Sequence, residues 1–414
     1  MNNHSPALRL IAIACGGTGG HLFPGIAIAE KLTERGCDVT LLVSPKQVDQ
    51  QVVKQSKHLH FLTLPAVGLQ RRGVVKFLRG FYRSHKIARR LFQLRSPDAV
   101  LAMGGFTSVP PILAAKSIGA RTFLHESNTI PGRANGCLSW VVDHAFVGFA
   151  SAGARFRRCR VTVSGTPARS QFRRRDVRSC RLALGLDPSR PVLLVMGGSQ
   201  GASSINDLIA RSLPLFAKSA PECQWFHLTG ASYADKLRRI YADLRLSAVV
   251  HPFFDRMELA LGAASAALSR AGASSLAEVA AMRLPSVLMP FPSATNDHQL
   301  HNARAFAGSG AACLLEQSRA TPELLMNSLL ELTQDQIKRE TMQAALARWD
   351  RPDASNEIAE SILEGISANM TSRLTAQKTP NIASGAVLHV ESNAAIGLSS
   401  KPIIATTGEA PATL

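Results

Sequence analysis

A glycine-rich loop follows a strand-like segment at three places in this chain, and this repeated pattern constrains the fold more than any other feature. Short apolar runs that end in glycine are typical of buried parallel strands. In an open α/β sheet, the loops after such strands are where ligands bind. The three runs are Leu8–Cys15 before Gly16–Gly20, Ala99–Met103 before Gly104 and Gly105, and Val192–Met196 before Gly197–Gly201.

Helix-like segments separate the strand-like segments along most of the chain. Helical periodicity predicts helices over Pro24–Arg35, Val74–Leu94, Val109–Ile118 and Ser203–Leu213. Further strands are predicted at Val39–Val43, Phe61–Leu64, Thr122–Leu124, Trp225–Leu228, Val249–Val250, Ala266–Leu268 and Val287–Met289. This alternation predicts an α/β protein with parallel sheets covered by helices on both faces. Because the series restarts near Pro191, two doubly wound, Rossmann-like halves are expected.

The positive charge of the chain is concentrated in one region. The net charge is +18, and residues 70–181 hold 22 lysines and arginines against four acids, which already gives that value. An anionic partner is therefore expected at the surface that this region forms.

The cysteines and the hydropathy indicate the compartment. Seven cysteines are scattered along 414 residues without metal-binding spacing, as in a reducing cytoplasm. The first residues carry no signal-peptide pattern, and the sequence contains no apolar run of about 18 residues. We expect a cytoplasmic protein without a membrane span.

The first glycine loop has the features of a phosphate site. Its backbone N–H groups, at the start of a helix, can approach an anion closely. It lacks both the P-loop and the G-x-G-x-x-G spacing, so other nucleotide folds fit better. His21 follows directly, and a neutral imidazole at a helix start can serve as a general base. The alternatives are a tight turn without ligand and a histidine that only packs or caps.

Three polar segments follow later strands. Glu126 and Asn128 lie in a Pro/Gly turn, Glu278 lies in the first turns of an Ala-rich helix, and His298 and Gln299 follow Asp297. A carboxylate such as Glu278 can accept two ribose hydroxyls. A capped turn and a solvent-exposed glutamate are the alternatives. No third ligand suits a metal beside Asp297, so no metal is expected.

Seven motifs together resemble one family, the bacterial peptidoglycan N-acetylglucosaminyltransferases that convert lipid I to lipid II. They occur in the family's order across about 360 residues, with small departures at Thr129 and Val109. The motifs are Gly16–His21, Met103–Phe106, His125–Asn128, Gly165–Arg169, Gly197–Gly201, Ser269–Glu278, and Asp297–Gln299 with Asn302 and Ala303.

The resemblance implies a glycosyltransferase-B fold of two Rossmann-like domains facing a cleft. It implies an acceptor and membrane-facing domain at 1–165, a UDP-sugar domain at 166–345, and a helix at 346–366 that returns to the first domain. We expect the tail at 367–414, which lacks aromatic residues, to be disordered. The implied reaction moves N-acetylglucosamine from UDP-N-acetylglucosamine to undecaprenyl-diphosphate-linked muramylpentapeptide, with inversion and without a metal or other cofactor.

The resemblance also implies the site residues. His21 is the candidate base, and Glu126 is a further catalytic candidate. Arg169 and Ser199 would hold the diphosphate, Glu278 the ribose, and Phe254 the uracil through its backbone. The remaining implied donor contacts are Thr18, Gly19, Gly20, Asn128, Ala273, Ser274, Ser275, Leu276, Ala277 and Gln299.

A basic, partly apolar segment lies at 71–95, with nine cations and no acid. Such a segment is typical of proteins that bind a membrane surface, and a lipid-linked acceptor makes that interpretation preferable to nucleic acid. The alternative is that its apolar residues face the core and its cations are only solvated. The residues predicted to face the membrane are Arg71, Arg72, Lys76, Phe77, Arg79, Phe81, Arg83, Lys86 and Arg90.

Two other functions remain open from the sequence. One is another lipid glycosyltransferase of the same fold, such as a diacylglycerol sugar transferase, and the other is a non-enzymatic protein that binds nucleotide or RNA. The presence of His21, Glu126, Asn128, Arg169 and Glu278 favours an enzyme. The expected location is the cytoplasmic face of the bacterial inner membrane, with peripheral attachment.

Overall fold

The chain folds around two parallel β-sheets, as a computed structural model shows. The structure describes residues 8–46, 49, 50, 53, 56, 58–65, 74–198 and 201–378. The strands are β1 (Leu10–Ala14), β2 (Asp38–Val43), β3 (His60–Thr63), β4 (Ala99–Ala102), β5 (Arg121–Glu126), β6 (His144–Val147), β7 (Arg160–Val163), β8 (Val192–Met196), β9 (Gln224–Leu228), β10 (Ala248–His251), β11 (Ala266–Ser269), β12 (Ser286–Leu288) and β13 (Cys313–Leu314).

Helices connect most of these strands. They are α1 (Gly19–Glu34), α2 (Val74–Leu94), α3 (Val109–Ser117), α4 (Arg133–Leu138), α5 (Ala150–Gly153), α6 (Val177–Ala183), α7 (Ser203–Ser219), α8 (Ala234–Asp243), α9 (Met257–Ala263), α10 (Ala273–Met282), α11 (His298–Gly308), α12 (Pro322–Gln334), α13 (Gln336–Trp349) and α14 (Ala354–Lys378). Short 3-10 turns lie at Thr295–Asp297 and Gln317–Arg319.

The strand order places the glycine loops at matching positions in the two sheets. The first sheet runs β3-β2-β1-β4-β5-β6-β7 and the second runs β10-β9-β8-β11-β12-β13, with parallel pairing throughout. In each sheet the chain reverses its direction of winding beside a central strand, β1 or β8, which is where open α/β sheets bind ligands. The predicted fold of two doubly wound α/β halves is confirmed.

The last helix completes the core of the first half. Ile358, Ile362 and Ile366 of α14 are fully buried in the cluster that contains Ile11 and Ile13 of β1. Their spacing of four residues puts them on one face of the helix. Burying side chains of this size contributes about 1.5–3 kcal/mol each, so α14 is part of the first half's core.

The C-terminal boundaries differ from those predicted. The helix predicted over 346–366 is divided between the end of α13 and α14, because Pro352 interrupts the run. Residues 367–378 of the predicted tail are helical, because α14 continues to Lys378. The rest of the predicted tail, 379–414, lies outside the described residues. No helix in the described part of the chain is long and apolar enough to cross a bilayer.

Candidate active site

The first glycine loop is held in place by residues that reach it from other strands. The backbone N–H of Gly17 donates to Asp49 Oδ2 at 2.8 Å, and Thr107 Oγ1 donates to the Gly16 carbonyl at 2.7 Å. Lys46 Nζ donates to the Gly17 carbonyl at 2.9 Å. The loop is therefore ordered by contacts with the segments after β2 and β4.

His21 lies in the first turn of α1 and packs against the second glycine loop. A Cβ atom on Gly104 would lie 2.9 Å from His21 Nε2, so only glycine lets the imidazole approach this backbone. Gly104 also has φ +116°, a conformation that favours glycine. On its other side, His21 Nδ1 lies 3.3 Å from Thr18 Oγ1. The imidazole is thus positioned by two separate loops.

Burial lowers the pKa of His21 to about 4, against an opposing effect of the Asp49 charge. The imidazole is therefore neutral near pH 7 and can accept a proton. The sequence predicted a neutral His21 because of the helix dipole, but in the structure loss of solvation is the largest cause.

Glu126 is enclosed by hydrogen-bond donors. Its Oε1 accepts from the backbone N and the Nδ2 of Asn128 at 2.9 and 3.0 Å. Its Oε2 accepts from Gly132 N at 3.0 Å and from Asn135 Nδ2 at 2.8 Å. The buried carboxylate uses its acceptor positions on its own loop. The geometry thus supports a positioning role for Glu126, and its catalytic role stays a prediction from the sequence.

Asn302 of α11 joins the loop after β5 to the second half. Its Oδ1 accepts from the backbone N and the hydroxyl of Thr129, both at 3.0 Å. Its Nδ2 donates to Asn128 Oδ1 at 3.0 Å and to the Ala271 carbonyl at 3.1 Å. Asn302 is fully buried, and three of its four bonds reach the first half of the chain. They therefore hold the carboxyl ends of the strands in the two sheets at a fixed approach.

Arg169 and Glu278 form an ion pair at the same junction. Arg169 Nη2 lies 3.3 Å from Glu278 Oε1, and both side chains are mostly buried. The guanidinium also stacks near the rings of Phe23 and Phe172, at 4.3 and 4.8 Å from their centroids. Burial raises the pKa of Glu278, although the charge and the hydrogen bond of Arg169 oppose the rise. The structure thus brings together Arg169, expected at the diphosphate, and Glu278, expected at the ribose.

The start of α10 touches the first glycine loop. Ser274 Oγ donates to the Gly20 carbonyl at 3.1 Å. That carbonyl lacks its helical partner because the residue four positions on is Pro24, which has no N–H. A backbone acceptor left open by a proline inside α1 is therefore used by the other half of the chain.

The other predicted donor contacts lie around these groups. Gln299 Oε1 accepts from the Phe291 backbone at 3.0 Å, and Phe254 packs edge-to-face on Phe226. Leu276 is buried in the core of the second half, and its backbone N–H donates to the Gly272 carbonyl at 3.0 Å. Ser199 lies outside the described residues. Thr18, Gly19, Ala273, Ser275 and Ala277 lie at the starts of α1 and α10.

Most of the segment predicted to bind the membrane forms α2. The bounds of α2 are those predicted for the helix, Val74–Leu94. Lys76, Arg79, Arg83, Lys86 and Arg90 are exposed and form no salt bridge with a described residue. Arg71 and Arg72 lie outside the described residues.

Phe77 and Phe81 do not face solvent as predicted. Both are partly buried, and Phe77 packs edge-to-face on Phe106 at 5.5 Å. Five other apolar residues of α2 are exposed. Ile87 and Leu94 lie toward its end, and Val75, Leu78 and Tyr82 lie in its first half and are 80%, 57% and 66% exposed. The spacing of these last three puts them on one stripe beside the cations.

The sequence analysis missed three residues that order the site, namely Asp49, Asn135 and Asn302. Asn302 was noted only as part of a motif. Asp49 is fully buried and also accepts from Ser44 N and Oγ. No spacing rule connects it to a loop 32 positions earlier in the chain. In the described part of the chain, no three His, Cys, Asp or Glu side chains are grouped as metal ligands.

Comparison with known families matches both halves of the chain. The glycosyltransferase family 28 N-terminal domain matches residues 11–147, and the glycosyltransferase family 28 C-terminal domain matches residues 192–358. These two ranges contain the strands of both sheets except β7.

Individual relatives match over most of their length. A protein of Acidithiobacillus ferrooxidans named UDP-N-acetylglucosamine--N-acetylmuramyl-(pentapeptide) pyrophosphoryl-undecaprenol N-acetylglucosamine transferase is 36% identical over 358 residues, which cover 86% of this chain and 97% of that protein. A relative of the same name from Xanthomonas axonopodis pv. citri is 35% identical over 363 residues, covering 87% and 83%.

Solved structures agree with these sequence matches. The crystal structure of Acinetobacter baumannii MurG superposes with a TM-score of 0.69 at 27% identity, over 86% of this chain and 99% of that one. A putative UDP-N-acetylglucosamine 2-epimerase from Listeria monocytogenes superposes with a TM-score of 0.65 at 13% identity, over 87% and 98%. The second likeness bears on the fold alone.

Proposed function

The chain belongs to glycosyltransferase family 28, and from this membership we propose that it transfers N-acetylglucosamine from UDP-N-acetylglucosamine to lipid I. The acceptor is the 4-hydroxyl of the muramyl sugar in undecaprenyl-diphospho-muramylpentapeptide, and the product is lipid II. The family predicted from the seven sequence motifs is confirmed by these matches. The chain is an enzyme, a hexosyltransferase of peptidoglycan synthesis.

One observation carries the proposal beyond family membership: the candidate base and the candidate donor ligands meet at one junction. The Gly20 carbonyl next to His21 accepts from Ser274, and α10 goes on to Glu278 and its partner Arg169. A base and a nucleotide site this close together suit group transfer between two bound substrates.

In this proposal, His21 takes the proton of the acceptor hydroxyl. The hydroxyl oxygen attacks the anomeric carbon from the side opposite the leaving group, and a new C–O bond forms with inversion. The bond from the anomeric carbon to the phosphate oxygen breaks, and UDP leaves with the electron pair. The neutral state of His21 near pH 7 supports this role, because only the unprotonated imidazole can accept the proton.

The donor contacts exchange partners when UDP-sugar binds. Arg169 would turn part of its guanidinium to the diphosphate, where charge grows as UDP leaves, and Ser199 would assist it. Glu278 would accept from the ribose hydroxyls. Both residues are held in place by packing and by each other, so their charges are positioned before the donor arrives. No metal or other cofactor takes part in the proposed reaction.

The two halves have different tasks in this proposal. Residues 1–165 form the acceptor and membrane-facing domain, and residues 166–345 form the UDP-sugar domain. The remaining partner is the anionic surface of the inner membrane at its cytoplasmic face, with no nucleic acid. The support is α2, whose cations form no salt bridge within the described part of the chain and lie beside the exposed Val75, Leu78 and Tyr82. The first turns of α2 contact Phe106, which lies in the loop after β4. His21 packs against the same loop, so a lipid-linked acceptor would arrive close to the base.

Transfer from labelled UDP-N-acetylglucosamine to a short-chain lipid I analogue tests the proposal. We expect a disaccharide-linked product with inverted anomeric configuration, which nuclear magnetic resonance can identify. Diacylglycerol serves as the control acceptor and should give no product. Transfer to diacylglycerol in place of the lipid I analogue would assign the chain to another lipid glycosyltransferase activity.

A further inference from the structure

A cavity lies at the end of the second sheet where the strands begin. The predicted donor residues lie at the opposite end, where the strands finish. The cavity has a volume of about 430 Å³ and is lined where β8, β11 and β12 begin and where α9, α10 and α12 end. The donor residues lie at the start of α10, and this cavity lies at its end. Ten helical residues span about 15 Å, so the two places are separate.

Five arginines line this cavity, and no aspartate or glutamate does. We call it the arginine pocket. None of the five forms a salt bridge with a described residue. Arg174 and Arg175 are exposed at its mouth, while Arg283 and Arg339 are partly buried. The five arginines are Arg174, Arg175, Arg181, Arg283 and Arg339.

Arg181 is buried without a carboxylate partner. It is 9% exposed, and its guanidinium donates to the carbonyls of Ala263 and Pro188 and to Ser265 Oγ. These acceptors are neutral, and loss of solvation lowers the pKa of Arg181. An arginine stays protonated in proteins even so. A full positive charge is therefore held at the wall of the pocket.

Arg283 lines the same pocket, and both its backbone conformation and its side-chain Nε–H group are unusual. Its backbone is left-handed, with φ +51°, and its buried Nε has no hydrogen-bond partner among the described residues. A buried donor without an acceptor is uncommon in folded proteins, and this N–H group can donate to an anion in the pocket.

The helix ends do not balance these charges. Each helix C-terminus acts as about half a negative charge, so three of them supply about one and a half against five cations. Arg181 and Arg339 each bond a carbonyl there. Asp187 and Asp350 lie outside the lining and interact with Arg181 and Arg283. Hydrogen bonds from Ser189 are the largest cause of the lowered pKa of Asp187, and the charge of Arg181 adds to it. Burial raises the pKa of Asp350, and the charge of Arg283 opposes that rise. The lining itself, with five arginines and no acid, carries more positive charge than these helix ends offset.

We propose that the arginine pocket binds a small phosphorylated organic anion. Guanidinium groups match phosphate oxygens in pairs of parallel hydrogen bonds, and arginine is the residue best suited to them. The volume is in the range of small-molecule sites and exceeds what inorganic phosphate needs. Leu261, Met282, Leu284 and Pro285 offer an apolar wall for the organic part.

Calorimetric titration with pyrophosphate tests the site on the full chain. The donor site is first filled with UDP, so that the heat reports on a second site, and the ionic strength is kept low. The test variant is R174Q/R175Q, whose arginines are exposed and replaceable without disturbing the core. The matched control is R178Q/R239Q, which removes the same charge from exposed arginines that do not line the pocket.

We expect the wild type and the control to bind one pyrophosphate with similar affinity in the presence of UDP. The R174Q/R175Q variant should bind it roughly tenfold or more weakly, because each lost charge-assisted bond is worth about a factor of ten. An absence of binding in the wild type would overturn the proposal, as would equal weakening in both double variants. If UDP itself does not bind, the proposed function fails, and the same comparison without UDP still decides the pocket.

The source of the phosphate is separated by vesicle co-sedimentation. We expect the R174Q/R175Q variant to bind vesicles with phosphatidate as the wild type does, which indicates a soluble ligand. Weaker vesicle binding by this variant than by the control would overturn the assignment to a soluble molecule and point to a lipid headgroup.

Discussion

Replacing Glu126 by glutamine tests whether this residue positions its loop or takes part in chemistry. The two side chains have nearly the same shape, so packing is preserved. The structure surrounds the carboxylate with four donors, from Asn128, Gly132 and Asn135. Glutamine keeps one oxygen and presents an NH₂ group where the second oxygen accepted. Two N–H groups of the loop then face another donor.

The expected loss follows from these contacts. Hydrogen bonds to a charged group are worth about 1.5–3 kcal/mol each, so losing two costs about 3–6 kcal/mol. The site is buried, and solvent cannot replace the lost acceptor. For a domain of about 150–250 residues, 1 kcal/mol corresponds to roughly 2–4 °C in melting temperature. The Glu126→Gln variant should therefore melt about 6 °C or more below the wild type.

Differential scanning calorimetry of the variant and of a control measures this. Glu34→Gln is a suitable control, because Glu34 is exposed in the same half and pairs only with Lys31 at the surface. It should change the melting temperature little, since exposed ion pairs contribute about 0–1 kcal/mol. If Glu126→Gln melts like the wild type but turnover falls a hundredfold, Glu126 acts on the substrates and the positioning role is refuted.

Four further predictions concern the base, the nucleotide and the membrane. His21→Ala should lower turnover about a hundredfold with a smaller change in donor KM, and loss of donor binding alone would remove His21 as the base. In the wild type, the acid limb of the pH–rate profile should lie toward pH 4 instead of 6.5, because burial lowers the pKa of His21 and the base form is lost only as pH falls through about 4. Glu278→Gln should raise the donor KM about tenfold, and an unchanged KM would exclude a ribose contact. Arg79, Arg83 and Arg90 changed together to Glu should release the protein from anionic vesicles, at about 1 kcal/mol per cation, while transfer to a water-soluble acceptor persists; equal loss on both acceptors would contradict the membrane role.

Most of the fold was predictable because parallel strands are buried on both faces and appear as apolar runs. β4 and β8 are such runs, and each was predicted to within one residue. β6, β7 and β13 were missed. β7 lies at the edge of its sheet and begins with Arg160, and β13 has two residues, so neither gives a continuous apolar signal.

The start of α1 was predicted five residues too late because of Pro24. A proline fits the first turn of a helix, and the prediction placed the helix start there. In the structure α1 begins at Gly19, and Pro24 lies inside it. The usual cost of an internal proline includes the carbonyl that it leaves without a donor. Here that carbonyl is on Gly20, and the donor is Ser274 of α10, in the other half of the chain. Local sequence rules cannot predict a hydrogen-bond donor that comes from a distant part of the chain.

The site shows the same division between what a motif reveals and what only the fold reveals. The motifs predicted which residues gather at the sheet edges, because loops after parallel strands share one edge. They did not predict that the motif residues would bind one another. Glu126 bonds Asn128 within one motif, whereas Asn128 bonds Asn302 and Arg169 bonds Glu278, so that separate motifs are joined into a hydrogen-bond network at the first of these places and into an ion pair at the second.

That network explains why the departure at Thr129 matters for this chain. The sequence analysis noted Thr129 as a departure from the family's motif. Here Thr129 Oγ1 adds a second bond to Asn302 Oδ1, beside the bond from its own backbone. A net hydrogen bond is worth about 0.5–1.5 kcal/mol, and this one joins the first half of the chain to the second. A bond that holds the two halves together also opposes their separation. In the proposed function, where both substrates bind between the halves, the bonds of Thr129 and Asn128 to Asn302 would contribute to the free energy needed to separate them.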